Sequence, residues 1–469
     1  MNPVASASRP DDQPTHAPGG LSPNRRPVAI DLFAGAGGLS LGFEMAGFDV
    51  LSAVEYDPVH AATHMYNFPN TDVLCRDVKS INGDDLRSSA EAGWIAHYPG
   101  TEWDGIVDAI IGGPSCQGFS TMGKQDVNDS RNELIDEFVR LVVEVRPRAF
   151  CMENVPGFLD ARFSPLRDRA LKALRAAGYS ISGEDLILSA TDFGVPQSRK
   201  RVLIVGVLGS RVVSIEVPNA LPVFTVSDAL AGLAGSLPTR AVEDLVELDV
   251  SDRARVTDNQ NTYLKLADVL GDGSGYFGHA RLVKNSTLSG CRMTTHTKES
   301  VLRFAGTPQG STETVSRAFR LSMTKPARTL RAGTGRERGA FSASRPLHPV
   351  EDRVITVREA ARLHSFPDWF RFHTTNWHGH RQIGNAVPPL LAVAAGKAIL
   401  KGLGLTAVKS RIGELNFGDE ALLRVSPSEA ARLLAVDATQ VPKRAARMDS
   451  EALLSAGEIQ SVHEVSTAL

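Results

Sequence analysis

The segment VAIDLFAGAGGLSLGFEMAGFDVLSAVE, residues 28–55, decides the fold of this chain of 469 residues. An apolar strand, Val28–Phe33, leads into a glycine-rich turn, Ala34–Gly38, and the helical pattern Leu39–Ala46 follows at once. Val50–Val54 is then a second short apolar run. Because strand, helix and strand in this order form a crossover unit, the segment predicts two parallel strands with a helix packed on them.

The same alternation continues along the chain. Ser130 and Glu133 form a capping-box pattern that opens a helix, which Pro147 ends. Apolar residues recur at helical spacing within it, at Leu134, Phe138, Leu141, Val142 and Val145. Further strands are predicted, in chain order, at Val107–Ile111, Ala149–Met152 and Val202–Val207. We therefore predict an α/β fold built on a parallel sheet.

The composition is that of an ordinary globular protein, with 42% hydrophobic and 22% charged residues. No apolar run reaches the ~18 residues that a transmembrane helix needs, and the N-terminus carries no apolar signal segment, so we expect no membrane association. The four cysteines show no CxxC spacing, which argues against a metal site or disulfide framework and favours a cytoplasmic protein. Since the net charge is −2, any nucleic-acid surface must be local.

The sequence predicts a division of the chain into five parts. The first is rich in Pro, Ser, Asp and Gly, as disordered leaders are. The third is polar, and its stretch Arg292–Arg345 is rich in basic residues. The last contains a capped helix, Ser426–Ala435, which we interpret as a packing helix rather than a helix-turn-helix start. The five parts are a leader (residues 1–27), an α/β domain (28–215), a smaller domain (216–373), a return to the α/β domain (374–402) and a C-terminal extension (403–469).

The glycine-rich turn predicts a nucleotide-type ligand. Glycines at a strand-to-helix turn let a ligand approach the backbone, but Ser40 stands where the third glycine of G-x-G-x-x-G belongs. Glu55 ends the second strand and suits a ribose diol, and Asp77 suits an adenine amino group. Together these residues favour an adenosine-type ligand without a pyrophosphate. The alternative is that both acids cap loops.

A second set of reactive residues lies at predicted strand ends. Cys116 follows Gly112-Gly113-Pro114-Ser115, so a thiolate there is expected at the carboxyl edge of the sheet, where α/β proteins bind ligands. Glu153 follows the strand that ends at Met152 and is expected at the same edge. The alternatives are a buried structural cysteine and an ordinary salt-bridge or capping glutamate.

Two arginines enter the last predicted strand together. Arg199 and Arg201 stand at alternate positions of Gln197-Ser198-Arg199-Lys200-Arg201, so their side chains are expected on one face. Two guanidinium groups on one face suit phosphate or base oxygens. The alternative is an exposed edge with solvated charges.

Over about residues 28–402 the chain resembles the C5-cytosine DNA methyltransferase family of bacterial type. One departure is Ser115, because the family usually has proline directly before the cysteine. Six motifs carry the resemblance in the family's order, at Asp31–Gly38, Pro114–Gln117, Glu153–Val155, Gln197–Arg201, Arg353–Arg362 and Gln382–Pro389.

The resemblance implies a Rossmann-like, S-adenosylmethionine-dependent methyltransferase sheet with a second, smaller DNA-recognition domain. It implies a DNA (cytosine-5)-methyltransferase that flips its target base out of the duplex. Cys116 is then the nucleophile that attacks C6 of cytosine, and Glu153 holds N3 and stabilises or protonates the intermediate. Arg201 contacts the base oxygen, with Arg199 in support.

The resemblance also implies roles in binding the cofactor. Phe33 stacks on adenine, Glu55 binds the ribose hydroxyls and Asp77 the adenine amine. Asn385 orders the loop that carries the nucleophile and braces the cofactor. The full implied set, without a metal, is Phe33, Ala34, Gly35, Gly37, Gly38, Glu55, Asp77, Ser115, Leu134, Asn385 and Val387.

The implied partners are double-stranded DNA and, within a restriction-modification system, a restriction endonuclease that acts on the same site. We expect a monomer because one chain holds all six motifs. One alternative is a tRNA cytosine-5 methyltransferase, which predicts a shorter segment between Arg201 and Arg353 than this chain has. The other is a catalytically silent DNA-binding protein, which has no need of a nucleophile.

Overall fold

An eight-stranded sheet forms the centre of the protein. The computed structural model describes residues 25–114, 133–218, 221–233, 243–248, 261–267, 276–282, 287–333 and 345–436. The sheet strands are β1 (Val28–Leu32), β2 (Asp49–Val54), β3 (Asp72–Leu74), β4 (Ala109–Gly112), β5 (Ala149–Asn154), β6 (Tyr179–Ser182), β7 (Ile187–Ser189) and, after a short strand β8 (Gln197–Ser198) outside the sheet, β9 (Lys200–Leu208).

The strands lie in the order β3-β2-β1-β4-β5-β9-β6, and β7 also pairs with β9. β1 to β5 are parallel to one another, which confirms the predicted parallel sheet for this half. The expectation is wrong for β9, which runs antiparallel to β5. A single apolar run has no sequence signal for its direction, and β6, β7 and β9 follow one another through short connections that antiparallel pairing allows.

Helices cover both faces of the sheet, as the alternation along β1 shows. Val28, Ile30 and Leu32 belong to one buried cluster and Ala29 to another on the opposite face. The five helices of this part are α1 (Gly38–Ala46), α2 (Pro58–Asn67), α3 (Gly83–His97), α4 (Glu133–Val145) and α5 (Ser164–Ala176). α4 buries the apolar positions that predicted it, and its proposed Ser130 cap lies outside the described residues.

The helix Pro389–Leu403 packs closely along α1 and joins the C-terminal part of the chain to the sheet. A Cβ at Gly42 would lie 2.3 Å from the Ala392 Cβ, so only glycine permits this approach. The stretch Asn376–Leu403 has the length and hydropathy of a membrane span, but 78% of its most apolar window is buried inside the protein, as in a core helix.

The smaller domain consists mainly of loops and short elements. Its aromatic core includes Tyr263, Phe366 and Phe370. Buried arginines hold its loops together: Arg358 donates to the carbonyls of Ser289, Pro367 and Phe370, and Arg362 pairs with Asp368 at 2.6 Å. The described helices and strands here are Val226–Leu230, Val246–Glu247, Thr262–Leu266, Thr287–Leu288, Lys298–Ala305, Ala327–Arg328 and Val357–Leu363, and the helix Asn376–Asn385 follows in the predicted return segment.

The C-terminal extension returns to the α/β part. Phe417 stacks on Tyr66 of α2, and the helix Pro427–Leu433 also packs against α2. Ser426 and Glu429 form the predicted capping box. The interpretation as a packing helix therefore agrees with its contacts, while the five domain boundaries remain predictions.

Candidate active site

The turn after β1 forms a tight backbone loop that faces the end of β2. Phe33 and Gly35 both have positive φ angles, of 61° and 58°. The Ala34 N–H donates to the Val54 carbonyl at 3.0 Å, which fixes the turn to the neighbouring strand. The glycines therefore allow a left-handed path that other residues rarely adopt.

Glu55 is fixed beside this turn at the end of β2. Its Oε2 accepts a hydrogen bond from the Gly35 N–H and its Oε1 one from the Asp57 N–H, both at 2.8 Å. Burial raises the pKa of Glu55. A Cβ added at Gly35 would meet no atom within 4 Å, so there is free space directly over the turn. A carboxylate beside an open glycine turn fits the ribose and backbone contacts of an adenosine-type cofactor.

Other residues of the implied cofactor set have described contacts or exposure, and Ser115 lies outside the described residues. Asp77 accepts from the Lys79 N–H at 3.0 Å and caps the turn Val78–Ser80, so the capping alternative describes its present contact. The Val387 carbonyl lies 2.4 Å from where a Cβ of Gly38 would stand, which places the last motif against the first. Asn385 is exposed in the structure. Leu134 is partly buried against the apolar cluster beside β1.

A buried polar group under the turn was missed by sequence reasoning. The Ser40 hydroxyl donates to Asp31 Oδ2 at 2.6 Å and lies 3.0 Å from His64 Nε2. Burial raises the pKa of Asp31 to about 7 and lowers that of His64 to about 3. The one signal in the sequence is Ser40 itself, which stands in place of the third glycine of the nucleotide pattern.

Glu153 and Arg201 meet at the carboxyl edge of the sheet. Glu153 Oε1 lies 2.5 Å from Arg201 Nε, and both side chains are largely buried. The second oxygen, Oε2, would lie 2.9 Å from a Cβ at Gly113, so the carboxylate fills the space that the glycine leaves. Asn154 donates to the Pro114 carbonyl at 3.3 Å. The acid motif thus contacts the start of the segment that leads to Cys116.

Arg199 has different partners from Arg201, contrary to the expectation of a shared face. Its guanidinium donates to the carbonyls of Leu330, Gly384 and Ala386 at 2.9 to 3.0 Å and is buried. Arg199 precedes β9 and belongs to a bend between β8 and β9, so the alternation of a regular strand does not apply to it. It joins the sheet to the smaller domain.

Gln197 and His364 extend this junction, and sequence reasoning did not assign either a role. Gln197 Nε2 lies 2.9 Å from His364 Nδ1, and its Oε1 accepts from the Leu330 N–H at 2.9 Å. His364 Nε2 lies 2.9 Å from the Ala386 carbonyl oxygen. The segment Gln197–Arg201 therefore positions the smaller domain. Arg201 is the arginine of this segment that pairs with Glu153.

Ser115 and Cys116 lie outside the described residues, so their roles stay predictions. The described cysteines, Cys75, Cys151 and Cys291, are all buried, and burial raises the pKa of each thiol. They are poor candidates for a nucleophile because the reactive form is the thiolate. Among the described residues, no group of three or more metal-ligating side chains is placed to hold a metal.

Residues 28–401 match the family described as C-5 cytosine-specific DNA methylase. The type II methyltransferase M.XorII of Xanthomonas oryzae is 41% identical over 429 residues, which cover 91% of this chain and 97% of that protein. The type II methyltransferase M1.HphI of Haemophilus parahaemolyticus is 33% identical over 375 residues, which cover 79% and 86%.

A solved structure of a third protein is also similar to this chain. The crystal structure of a candidate DNA modification methyltransferase from an Escherichia coli prophage aligns with a TM-score of 0.64 and 36% identity. The alignment covers 81% of this chain and 99% of that chain. The matched residues 28–401 include every candidate residue placed above.

Proposed function

Because this chain belongs to the C-5 cytosine-specific DNA methylase family and is a DNA cytosine-5 methyltransferase of the type II kind, we propose that it methylates C5 of a flipped cytosine through a covalent Cys116 adduct. The observation that carries the proposal is the pair Glu153–Arg201, held against Gly113 at the edge of the sheet. This pair stands where the chain turns towards Pro114, Ser115 and Cys116. The strand β5 that carries Glu153 pairs with β4, and Cys116 follows β4 in the sequence.

The residues around the glycine turn would hold S-adenosylmethionine, which supplies an electrophilic methyl group when bound. Gly35 leaves the space for it, and Glu55 presents its carboxylate beside that space. We propose that Glu55 binds the ribose hydroxyls, that Phe33 packs on the adenine ring and that Asp77 receives the adenine amine. Because these groups stand at the ends of β1, β2 and β3, the cofactor would lie along the same edge as Cys116.

The protein's part in the chemistry is to make C5 of cytosine nucleophilic. The Cys116 thiolate adds to C6, a C6–S bond forms, and the electron pair of the C5–C6 double bond moves towards C5 and the ring. Glu153 holds N3 and supplies or shares a proton there, while Arg201 fixes the Glu153 carboxylate and contacts the base oxygen. Once C5 is methylated, loss of its proton restores the double bond and releases the thiolate.

DNA is the substrate of this enzyme class, and the base must leave the duplex to reach Cys116. We propose that the smaller domain binds the duplex, that the protein acts as a cytoplasmic monomer and that a restriction endonuclease recognises the same site. The hydrogen bond from Arg199 to the Leu330 carbonyl supports this division, because it joins the smaller domain to the segment that carries Arg201.

The test is base-resolution mapping of 5-methylcytosine in DNA from a methylation-free host that expresses the protein or its Cys116→Ala variant. We expect a short sequence to be methylated only with the unaltered protein. Methylation that persists in the variant would refute the role of Cys116. If neither protein methylates DNA but the unaltered one methylates tRNA, the substrate assignment is wrong.

A further inference from the structure

A second polar cavity, beside the catalytic edge, is not used by the chemistry above. It lies where the smaller domain meets Ser198 and the helix Asn376–Asn385, and it has a volume of about 380 Å³. Its floor is apolar and buried, formed by Leu330, Ala360 and Ile383. Arginines and one histidine surround this floor, and we call the cavity the arginine pocket after Arg317, Arg328, Arg331, Arg345 and His380.

The arginine pocket carries positive charge without a matching negative charge. Among the described residues, no carboxylate lies within the 4.0 Å of an ion pair from any of the four arginines, and none lines the cavity. Arg317, Arg328 and Arg331 are exposed at the mouth, and the Arg328 guanidinium lies 3.6 Å from the centre of the Phe319 ring. Burial lowers the pKa of Arg345 to about 10. Converging cations without counter-charges favour an anionic ligand.

His380 supplies an independent sign that the pocket receives a polar group. Its side chain is 6% exposed and lines the cavity, yet Nε2 has no hydrogen-bond partner among the described residues. Burial, followed by the charge of Arg345, lowers the pKa of His380 to about 3, so the ring is neutral. Buried polar atoms in native proteins are normally hydrogen-bonded, and a bound ligand or its water would satisfy this one.

The pocket is next to the catalytic residues in the fold. Ser198 lines it, and the Ser198 carbonyl accepts from the Thr329 hydroxyl at 2.8 Å. Arg328 pairs with Ser198 where the strand Ala327–Arg328 runs beside β8. Ser198 directly precedes Arg199, and Arg201 contacts Glu153. A ligand in the pocket therefore lies beside the segment Gln197–Arg201, which carries Arg201.

We propose that the arginine pocket binds the phosphodiester backbone of the DNA strand beside the target cytosine, with Arg328 and Arg331 as phosphate-binding residues. This inference rests on the proposed function, since it names how that substrate is held. Guanidinium forks fit phosphate oxygens in pairs, and the apolar floor suits the sugar between them. Arginine also forms paired bonds with guanine O6 and N7, so the experiment below distinguishes phosphate binding from base reading.

The test compares Arg328→Gln and Arg331→Gln with the control Arg146→Gln. Arg146 is exposed after α4, at the opposite edge of the sheet. Binding to two duplexes, one with the mapped target and one without it, is measured between 50 and 200 mM salt. We expect each pocket variant to lose about tenfold in affinity for both duplexes near ~0.1 M salt, and the slope of log Kd against log salt to fall by about one. The methylated sequence should stay the same.

Unchanged affinity and slope in both pocket variants would overturn the proposal, and so would an equal loss in Arg146→Gln. A changed methylated sequence with an unchanged salt slope would show base reading instead, and would also overturn it. S-adenosylmethionine binding by each variant checks that it is folded. Failure of the proposed function is a separate result, because the unaltered protein would then methylate no DNA at all.

Discussion

The α/β part and the smaller domain are stabilised by different chemistry. In the α/β part, β1 and its neighbours bury Val28, Ile30 and similar side chains on both faces. In the smaller domain, charged side chains such as Arg358 and Arg362 are buried and donate to loop carbonyls and to Asp368. The first part fixes side chains at strand ends through apolar packing, while the second holds irregular loops through buried arginines.

The largest expected effect is on chemistry, from Glu153→Gln. Gln keeps the size of the side chain but removes the acid and the charge that faces Arg201, so the single-turnover rate of methyl transfer should fall by about 10²–10⁴-fold. Glu137→Gln is the matched control, because Glu137 also pairs with an arginine, Arg140, at 2.6 Å but lies on α4. If the rate of Glu153→Gln lies within a few-fold of the control, Glu153 has no part in the mechanism.

The next effect is on stability, from Arg362→Met. The substitution removes the 2.6 Å partner of Asp368, which keeps a 3.5 Å contact with Arg358, and a donor to the Ala229 and Ala231 carbonyls, so the free energy of unfolding should fall by about 3–5 kcal/mol. Ile110→Val in the sheet core should cost only about 0.5–1.5 kcal/mol. Urea denaturation measures both. Equal costs would contradict the distinction between an apolar sheet and an arginine-held domain.

A pH effect should come from Asp31, under the glycine turn. Its pKa is about 7 when folded and 3.8 in the unfolded chain, so it favours folding fully below about pH 4 and loses that contribution as pH rises through 7. The loss is on the order of 4 kcal/mol by pH 8. Asp31→Asn should therefore be less sensitive to pH between 4 and 8 in urea denaturation. If the free energy of unfolding changes with pH equally in the variant and the unaltered protein, Asp31 does not titrate in this range. Asp192→Asn, at an exposed position, is the control.

The smallest effects separate cofactor binding from packing in the turn. In Gly35→Ala the added methyl group would face open space, but the backbone φ of 58° disfavours alanine, so the free energy of unfolding should fall by about 1–2 kcal/mol. The methyl group should also weaken S-adenosylmethionine binding. Gly38→Ala would press on the Val387 carbonyl, so its stability loss, about 1–3 kcal/mol, should be the main change. Calorimetric titration and thermal unfolding distinguish the two. If Gly35→Ala binds S-adenosylmethionine as tightly as the unaltered protein, the space over Gly35 is not part of the cofactor site.

The sequence was sufficient for the α/β part because its signals are local. The apolar run at β1, the glycine turn and the apolar spacing of α4 each predicted an element that the structure contains. Glu55 and Glu153 were placed correctly at strand ends by the same rule. The direction of β9 was not predictable, since pairing partners far apart in the chain decide it.

The smaller domain could not be predicted, because its contacts join residues that are distant in sequence. Arg199 bonds to carbonyls near residues 330 and 385, and Arg358 to the Ser289 carbonyl. No periodic pattern in the sequence predicts such long-range hydrogen bonds. The same holds for Asp31, Ser40 and His64, whose contact depends on how α1 and α2 approach each other.

The most direct test of the central claim is covalent trapping. A duplex with 5-fluorocytosine at the mapped target, incubated with S-adenosylmethionine, gives a methylated C5 that carries fluorine and has no proton to lose, so the C6–S bond should persist. We predict a denaturation-resistant complex whose attachment maps to Cys116 by peptide mass spectrometry, and none with Cys116→Ser. A complex attached at another residue, or none with an unaltered protein that methylates the same duplex containing cytosine, would contradict the account.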